Sequence, residues 1–227
     1  MYKRNQVEWA IWQTLDRGQL ASDDVPASLR NTLRRLIDVD RKLSTNTRAR
    51  EEWQYRFAFV EGAPQGRGGE NQYRLEETLA LWLSVQCLAV GLPQTEVLQS
   101  IRALKPTLDA AVERILPRAK TRITAAVMAR QGADARALRR RELLAADELV
   151  YVVTSSATDQ AASAHRSVSR TTEIVAAAKL SAVVEAYCRS DSRALVFEIA
   201  NPVASLAYFL EISPLMKRGR RPAQAGD

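Results

Sequence analysis

Arginine is the residue type through which this chain could do recognition chemistry. Arg30, Asn31, Arg34 and Arg35 fall within six consecutive positions, and Arg41 follows six residues further on. A guanidinium presents its donors in a planar fork suited to phosphate or a guanine edge, and an asparagine amide suits adenine. Arg30 and Arg34 are four apart, so on a helix they share a face. A second set, Arg56, Arg67 and Arg74, belongs to the stretch Glu61-Gly62-Ala63-Pro64-Gln65-Gly66-Arg67-Gly68-Gly69-Glu70 and its flanks. Glycine lets a backbone approach closely, so Arg67 at such a tip could reach phosphate or a minor groove, with Arg56 and Arg74 holding phosphates. The opposing reading pairs these arginines with Asp38, Asp40, Glu51 and Glu52 on an ordinary solvated surface.

Other chemistries are poorly supplied. The single histidine, His165, lies in a polar stretch with no carboxylate or nucleophile tied to it by spacing. Ser155 and Ser156 follow an expected strand, where a small ligand could sit, but such serines usually satisfy backbone groups. Asp38 and Asp40 alternate within an expected helix and so face apart, a poor catalytic pair. Cys87 and Cys188 have no paired spacing, which argues against a disulfide framework or a cysteine zinc site. Cys87, among apolar neighbours, reads as a core residue. There is no phosphate-binding or dinucleotide glycine motif and no metal-binding helix. The expectation is a non-enzyme without cofactor or metal. The start of the chain lacks the apolar stretch of a signal peptide, and no apolar run is long enough to cross a bilayer, so the expected location is the cytoplasm without membrane contact.

The elements that must position these side chains follow from composition and periodicity. With 227 residues, 46% hydrophobic and 6% aromatic, the chain can bury a core and favours helices. The net charge of +7 is segregated. Residues 102–142 carry eleven bases against four acids, whereas residues 75–101 carry three acids and no base. Apolar spacing predicts helices over 3–15, ended by Gly18, and over 27–43, with Leu29, Leu33, Leu36 and Ile37 inward. Residues 44–52 read as a loop, 53–60 as a strand from their period of two, and 61–70 as a flexible turn or hairpin tip. Helices follow over 75–90, 95–104 and 106–116, with Pro117 interrupting before a helix resumes through Met128. The stretch holding Arg139, Arg140 and Arg141 reads as a linker or an exposed helix face. Strands are expected at 149–154 and 194–199, a loop at 155–172, and helices at 173–188 and from Pro202 to Met216. A short basic tail, 217–227, is expected to be disordered.

Tyr73-Arg74-Leu75-Glu76-Glu77, the Leu79 to Leu83 ladder, Gly91-Leu92 and Glu96-Val97 form a helix, a glycine stop and a second helix. With the basic helix and wing-like segment upstream, this order over residues 3–104 resembles the MerR-type winged helix-turn-helix family. The second-helix segment Ser28-Leu29-Arg30-Asn31-Thr32-Leu33-Arg34-Arg35 departs from that family's usual pattern. The resemblance implies a DNA-binding transcriptional regulator. The expected fold is mainly α with a minor α/β part. It comprises a winged helix-turn-helix domain at 1–104, a basic helical connector at 105–142 and a C-terminal α/β dimerisation or sensing domain at 143–216. The expected partners are double-stranded DNA, a second copy of the chain, and a small-molecule or protein effector at the C-terminal domain. The DNA-contacting set is Arg30, Asn31, Arg34, Arg35, Arg41, Arg56, Arg67 and Arg74. The acidic 75–101 unit then serves as scaffold, since its charge repels phosphate. The rival is a protein-interaction adaptor whose helical half docks a partner without binding DNA.

Overall fold

The computed structural model describes residues 1–15, 24–44, 57–59, 72–128, 144, 148–158, 168–189 and 193–213. These residues form a mainly helical protein with two small antiparallel sheets. In chain order they are β1 (Tyr2–Lys3), α1 (Arg4–Leu15), α2 (Ala27–Ser44), β2 (Gln72–Tyr73), α3 (Leu75–Ala89), α4 (Gln94–Met128), β3 (Val150–Thr158), β4 (Val168–Ala176), α5 (Ala177–Arg189), β5 (Arg193–Glu198) and α6 (Ala200–Ile212). Gly18, Arg56, the glycine-rich stretch with Arg67, Arg139 to Arg141, His165 and the tail lie outside the described residues.

The helix over 75–90 forms as its periodicity implies, and both its ends have physical causes. At the start, the backbone N–H of Arg74 donates to Glu77 Oε2 at 2.7 Å, so the acid of the first turn satisfies a donor that the helix leaves unpaired. At the end, Gly91 takes φ +87°, while Gly91 N–H donates to Leu88 O at 3.0 Å and Leu92 N–H to Cys87 O at 3.1 Å. These are the bonds of a left-handed helix cap, a conformation glycine adopts without a side-chain clash. Tyr2 pairs with Tyr73 across β1 and β2, tying the N-terminus to the entrance of α3.

Five expectations about the elements need correction. Pro106 and Pro117 do not divide the following segment: α4 is continuous from Gln94 to Met128. The two prolines are eleven residues apart, three turns, and both are exposed. The opposite stripe, Val97, Leu98, Ile101, Leu104, Leu108, Val112, Ile115 and Ala119, is buried without a break and holds the helix together. The expected domain boundary at 104 therefore falls inside one helix. Within the expected strand 53–60, the described residues 57–59 lack strand structure and bend at 58–59. The reason is that Ala58 N–H donates to the Asp40 carboxylate at 2.9 Å instead of to a neighbouring strand. Residues 155–172 are not a loop throughout: 155–158 extend β3 and 168–172 belong to β4, paired from Val150↔Ala176 to Thr158↔Val168. Ser155 and Ser156 are thus ladder residues. Residues 173–176 complete β4, where Ile174 and Val175 suit a pleated sheet, so the helix begins only at Ala177. The last helix stops at Ile212 and not at Met216, because Pro214 forces the residue before it to be extended, and Ser213 has ψ 129°.

The larger sheet has the order β4-β3-β5, with both neighbours antiparallel to β3. β4 and β5 are therefore parallel to each other, and α5 is the crossover helix between them. Alternation gives the sheet two faces. Val150 and Val152, with Ile174 and Phe197, join the main hydrophobic core. Val153 and Val175 face the other way. On that side Tyr187 Oη of α5 donates to Glu173 Oε1 at 2.5 Å. α6 leaves β5 through one residue, Ile199, and its turn is closed by Asn201 N–H donating to Glu198 Oε1 at 2.8 Å. It is apolar on nearly all sides, which marks a central helix. It packs on α1, α3 and α4, with Trp9 edge-on to Phe209 at 5.7 Å.

A candidate nucleic-acid interface on the second helix

The site begins with the pattern of α2. Leu29, Leu33, Leu36, Ile37 and Asp40 are buried, which fixes the rotation of the helix against α1, α3 and α4. At about 100° per residue, the opposite arc must carry Asn31, Asp38, Lys42 and Arg35 near its centre, with Arg34 and Arg30 towards one edge. All six are exposed, and Arg41 is half-buried. Among the described residues Asn31, Arg34, Arg35 and Arg41 make no ion pair or side-chain hydrogen bond. Arg30 is drawn towards α1: its Nε lies 3.9 Å from Glu8 Oε2, while Glu8 Oε1 accepts from Arg4 Nε at 2.7 Å. Such a half-exposed contact holds Arg30 only weakly. Arg35 borders an open groove with Thr32, Val85, Leu88, Ala89 and Gln94, between α2 and the end of α3.

Arg74 sits apart, at the cap of α3, with Nε 3.9 Å from Glu77 Oε1. The structure thus gathers five of the eight expected contact residues on one helix and gives Arg74 a local role at another. Arg56 and Arg67 lie outside the described residues.

The surface pairing of Asp40 with nearby arginines is overturned. Its carboxylate is buried, and its partner comes from α4. Arg102 Nε and Nη2 donate to Asp40 Oδ1 at 2.9 and 2.6 Å, and Nη2 also donates to the Asp40 carbonyl at 2.6 Å. Both side chains are 3% exposed. Burial is the largest influence and raises the Asp40 carboxyl above its ordinary value, against the opposite pull of Arg102 and the Ala58 and Phe59 backbone N–H groups. This pair ties the basic helix to α4 and leaves Asp38 as the one described carboxylate on the exposed arc of α2. Periodicity offered a faint signal for it: Asp40 continues the Leu33, Leu36, Ile37 stripe, and Arg102 adjoins Ile101 on that of α4.

Among the described residues no cluster of histidine, cysteine, aspartate and glutamate could hold a metal, and no helix is long and apolar enough to cross a membrane. Cys87 is buried, as its apolar neighbours imply. What the fold defines is a class: a helical bundle closed by a central last helix and carrying a three-stranded antiparallel sheet. No family model, curated protein or solved structure matches the chain.

Proposed function

We propose that this chain binds duplex DNA through the exposed arc of α2, as a cytoplasmic transcriptional regulator of the MerR-like winged helix-turn-helix kind that works as a dimer. The observation that carries the reading is the arc itself. Arg34, Arg35 and Asn31 are exposed and uncommitted on a helix whose other face is locked to the core. In a major groove Asn31 and Arg35 would read base edges, while Arg30, Arg34 and Arg41 would hold phosphates. Asp38 would accept from a cytosine amine, and against any other sequence it would repel phosphate. Support for the dimer comes from α5, where none of the described side chains is fully buried and Leu180, Val183, Val184 and Tyr187 are only half-covered. A second copy packing on this face would complete its burial and space two reading helices for paired half-sites. Sequencing of DNA recovered with the protein from its native cell tests the reading. A discrete set of sites with a shared inverted repeat is expected, and recovery no greater than that of an unrelated basic protein would count against it.

The adaptor reading has one observation in its favour, the groove of Thr32, Arg35, Val85, Leu88, Ala89 and Gln94. Val90, 52% exposed, lies just beyond it at the end of α3. If the adaptor reading holds, Leu88→Glu abolishes partner capture and purified protein ignores duplex DNA at low salt.

A further inference from the structure

We propose that the cavity between α4 and the start of β3 binds a small monoanionic carboxylate with an apolar body. The cavity is open to solvent on one side, has a volume of about 190 Å3 and is lined by Arg114, Ile115, Arg118, Leu144, Glu148, Leu149, Val150 and Ala176. Arg114 and Arg118 are one helical turn apart, so both guanidinium groups stand on the same side of α4. Both are exposed, and neither makes an ion pair or hydrogen bond in this structure. The floor is apolar and buried: Ile115, Leu144 and Val150 are each no more than 5% exposed.

The floor is also held in place. Leu144 N–H donates to Asn201 Oδ1 at 3.2 Å. Ala177 N–H donates to Leu149 O at 3.0 Å, and Ile199 N–H to Val150 O at 2.8 Å. A ligand would therefore meet a formed wall and not have to order one.

Charge and size narrow the ligand. Among the described lining residues two arginines and one glutamate sum to one positive charge, which suits a monoanion. A second negative charge would lie beside Glu148. With roughly 30 Å3 per water molecule, the space equals about six waters, enough for a body the size of one aromatic ring. An apolar body gains from the Ile115, Leu144 and Val150 floor, whereas inorganic phosphate would leave that floor wet. The fork of a guanidinium matches a carboxylate through paired N–H donors. The alternative is that these arginines, in the basic stretch 102–142, are only a surface for nucleic acid.

The experiment is calorimetric titration of the full chain with benzoate, with benzyl alcohol and inorganic phosphate as comparison ligands. Saturable one-to-one binding of benzoate is expected, with no binding of benzyl alcohol and weaker binding of phosphate. Arg114→Ala and Arg118→Ala each weaken benzoate by about tenfold or more, the loss of one charge-assisted contact. Arg118→Lys also weakens it, because the fork is lost. Circular dichroism confirms that the variants fold. The proposal is overturned if benzoate does not saturate at millimolar concentrations, if phosphate binds as well as benzoate, or if both alanine variants bind benzoate unchanged. It is equally overturned if those variants lose duplex DNA affinity and nothing else. Benzoate and duplex binding are read separately, so the site stands or falls apart from the reading of α2.

Discussion

Asp40 and Arg102 show how one buried pair can set the orientation of a surface. The guanidinium of α4 and two backbone N–H groups at 58 and 59 converge on a carboxylate of α2. Arg102→Met keeps much of the bulk but leaves the Asp40 carboxylate buried without its counter-charge. The expected cost is about 3–5 kcal/mol in urea unfolding, and a cost below about 1 kcal/mol would mean that the pair is solvated. The acid–base consequence has a definite sign. Because burial raises the Asp40 carboxyl, the folded chain holds that proton more tightly than the unfolded chain. Stability from this group is full below the ordinary aspartate value and is lost as pH rises through the folded-state value. Urea midpoints of the wild type relative to Asp40→Asn should therefore fall over that window and be level above it. At this scale the sequence disclosed the exposed arginines well, since a stripe of leucines on α2 fixes where Arg34 and Asn31 must point. It disclosed the buried pair poorly, because a charge within an apolar stripe looks the same as one at its edge until the partner helix is in place.

At the scale of elements, local signals were reliable where local bonds decide the outcome. The Tyr73 to Gly91 unit is one helix because its apolar spacing, its first-turn acid and its glycine stop all agree. Gly91→Ala tests the last of these. There is open space around a Cβ at that position, so any loss comes from the backbone at φ +87°. A destabilisation of about 1–2 kcal/mol in chemical unfolding is expected, and no change would show that the cap relaxes. Long-range structure was less legible. The Ser, Thr and Ala stretch around 155–172 carries weak strand character of its own, and its strands exist because β3 lies between β4 and β5. Prolines at 106 and 117 read as breaks, yet both lie on the solvent side of a helix whose other side is packed over its described length. On α2, the carboxylate at the centre of the basic arc should restrain non-specific binding. Asp38→Asn is expected to raise affinity for random duplex several-fold at low salt, and unchanged or lower affinity would show that Asp38 does not face the phosphates.

The whole molecule turns on α6. Its Val203, Leu206, Phe209 and Leu210 belong to the same hydrophobic cluster as Val7, Leu79, Leu98 and Leu108, so the last described helix completes the core of the first four. Sequence position hid this, because an element more than ninety residues downstream of the expected 104 boundary gives no local sign of its partners. Phe209→Ala should cost about 3–5 kcal/mol and lower the unfolding of α1 and α6 together, in one transition. Separate transitions would mean that the core is divided. Sedimentation equilibrium should give a dimer that Val184→Glu on α5 disrupts. The claim that α2 reads nucleic acid is tested most directly by fluorescence anisotropy with a labelled duplex across a salt series. Wild-type affinity is expected to fall by about a hundredfold between roughly 50 and 200 mM salt. In the Arg34→Ala, Arg35→Ala double variant the slope of log affinity against log salt should be shallower by about one, since one of the two holds a phosphate. Absence of duplex affinity at the lowest salt, or an unchanged slope in the double variant, would contradict the account.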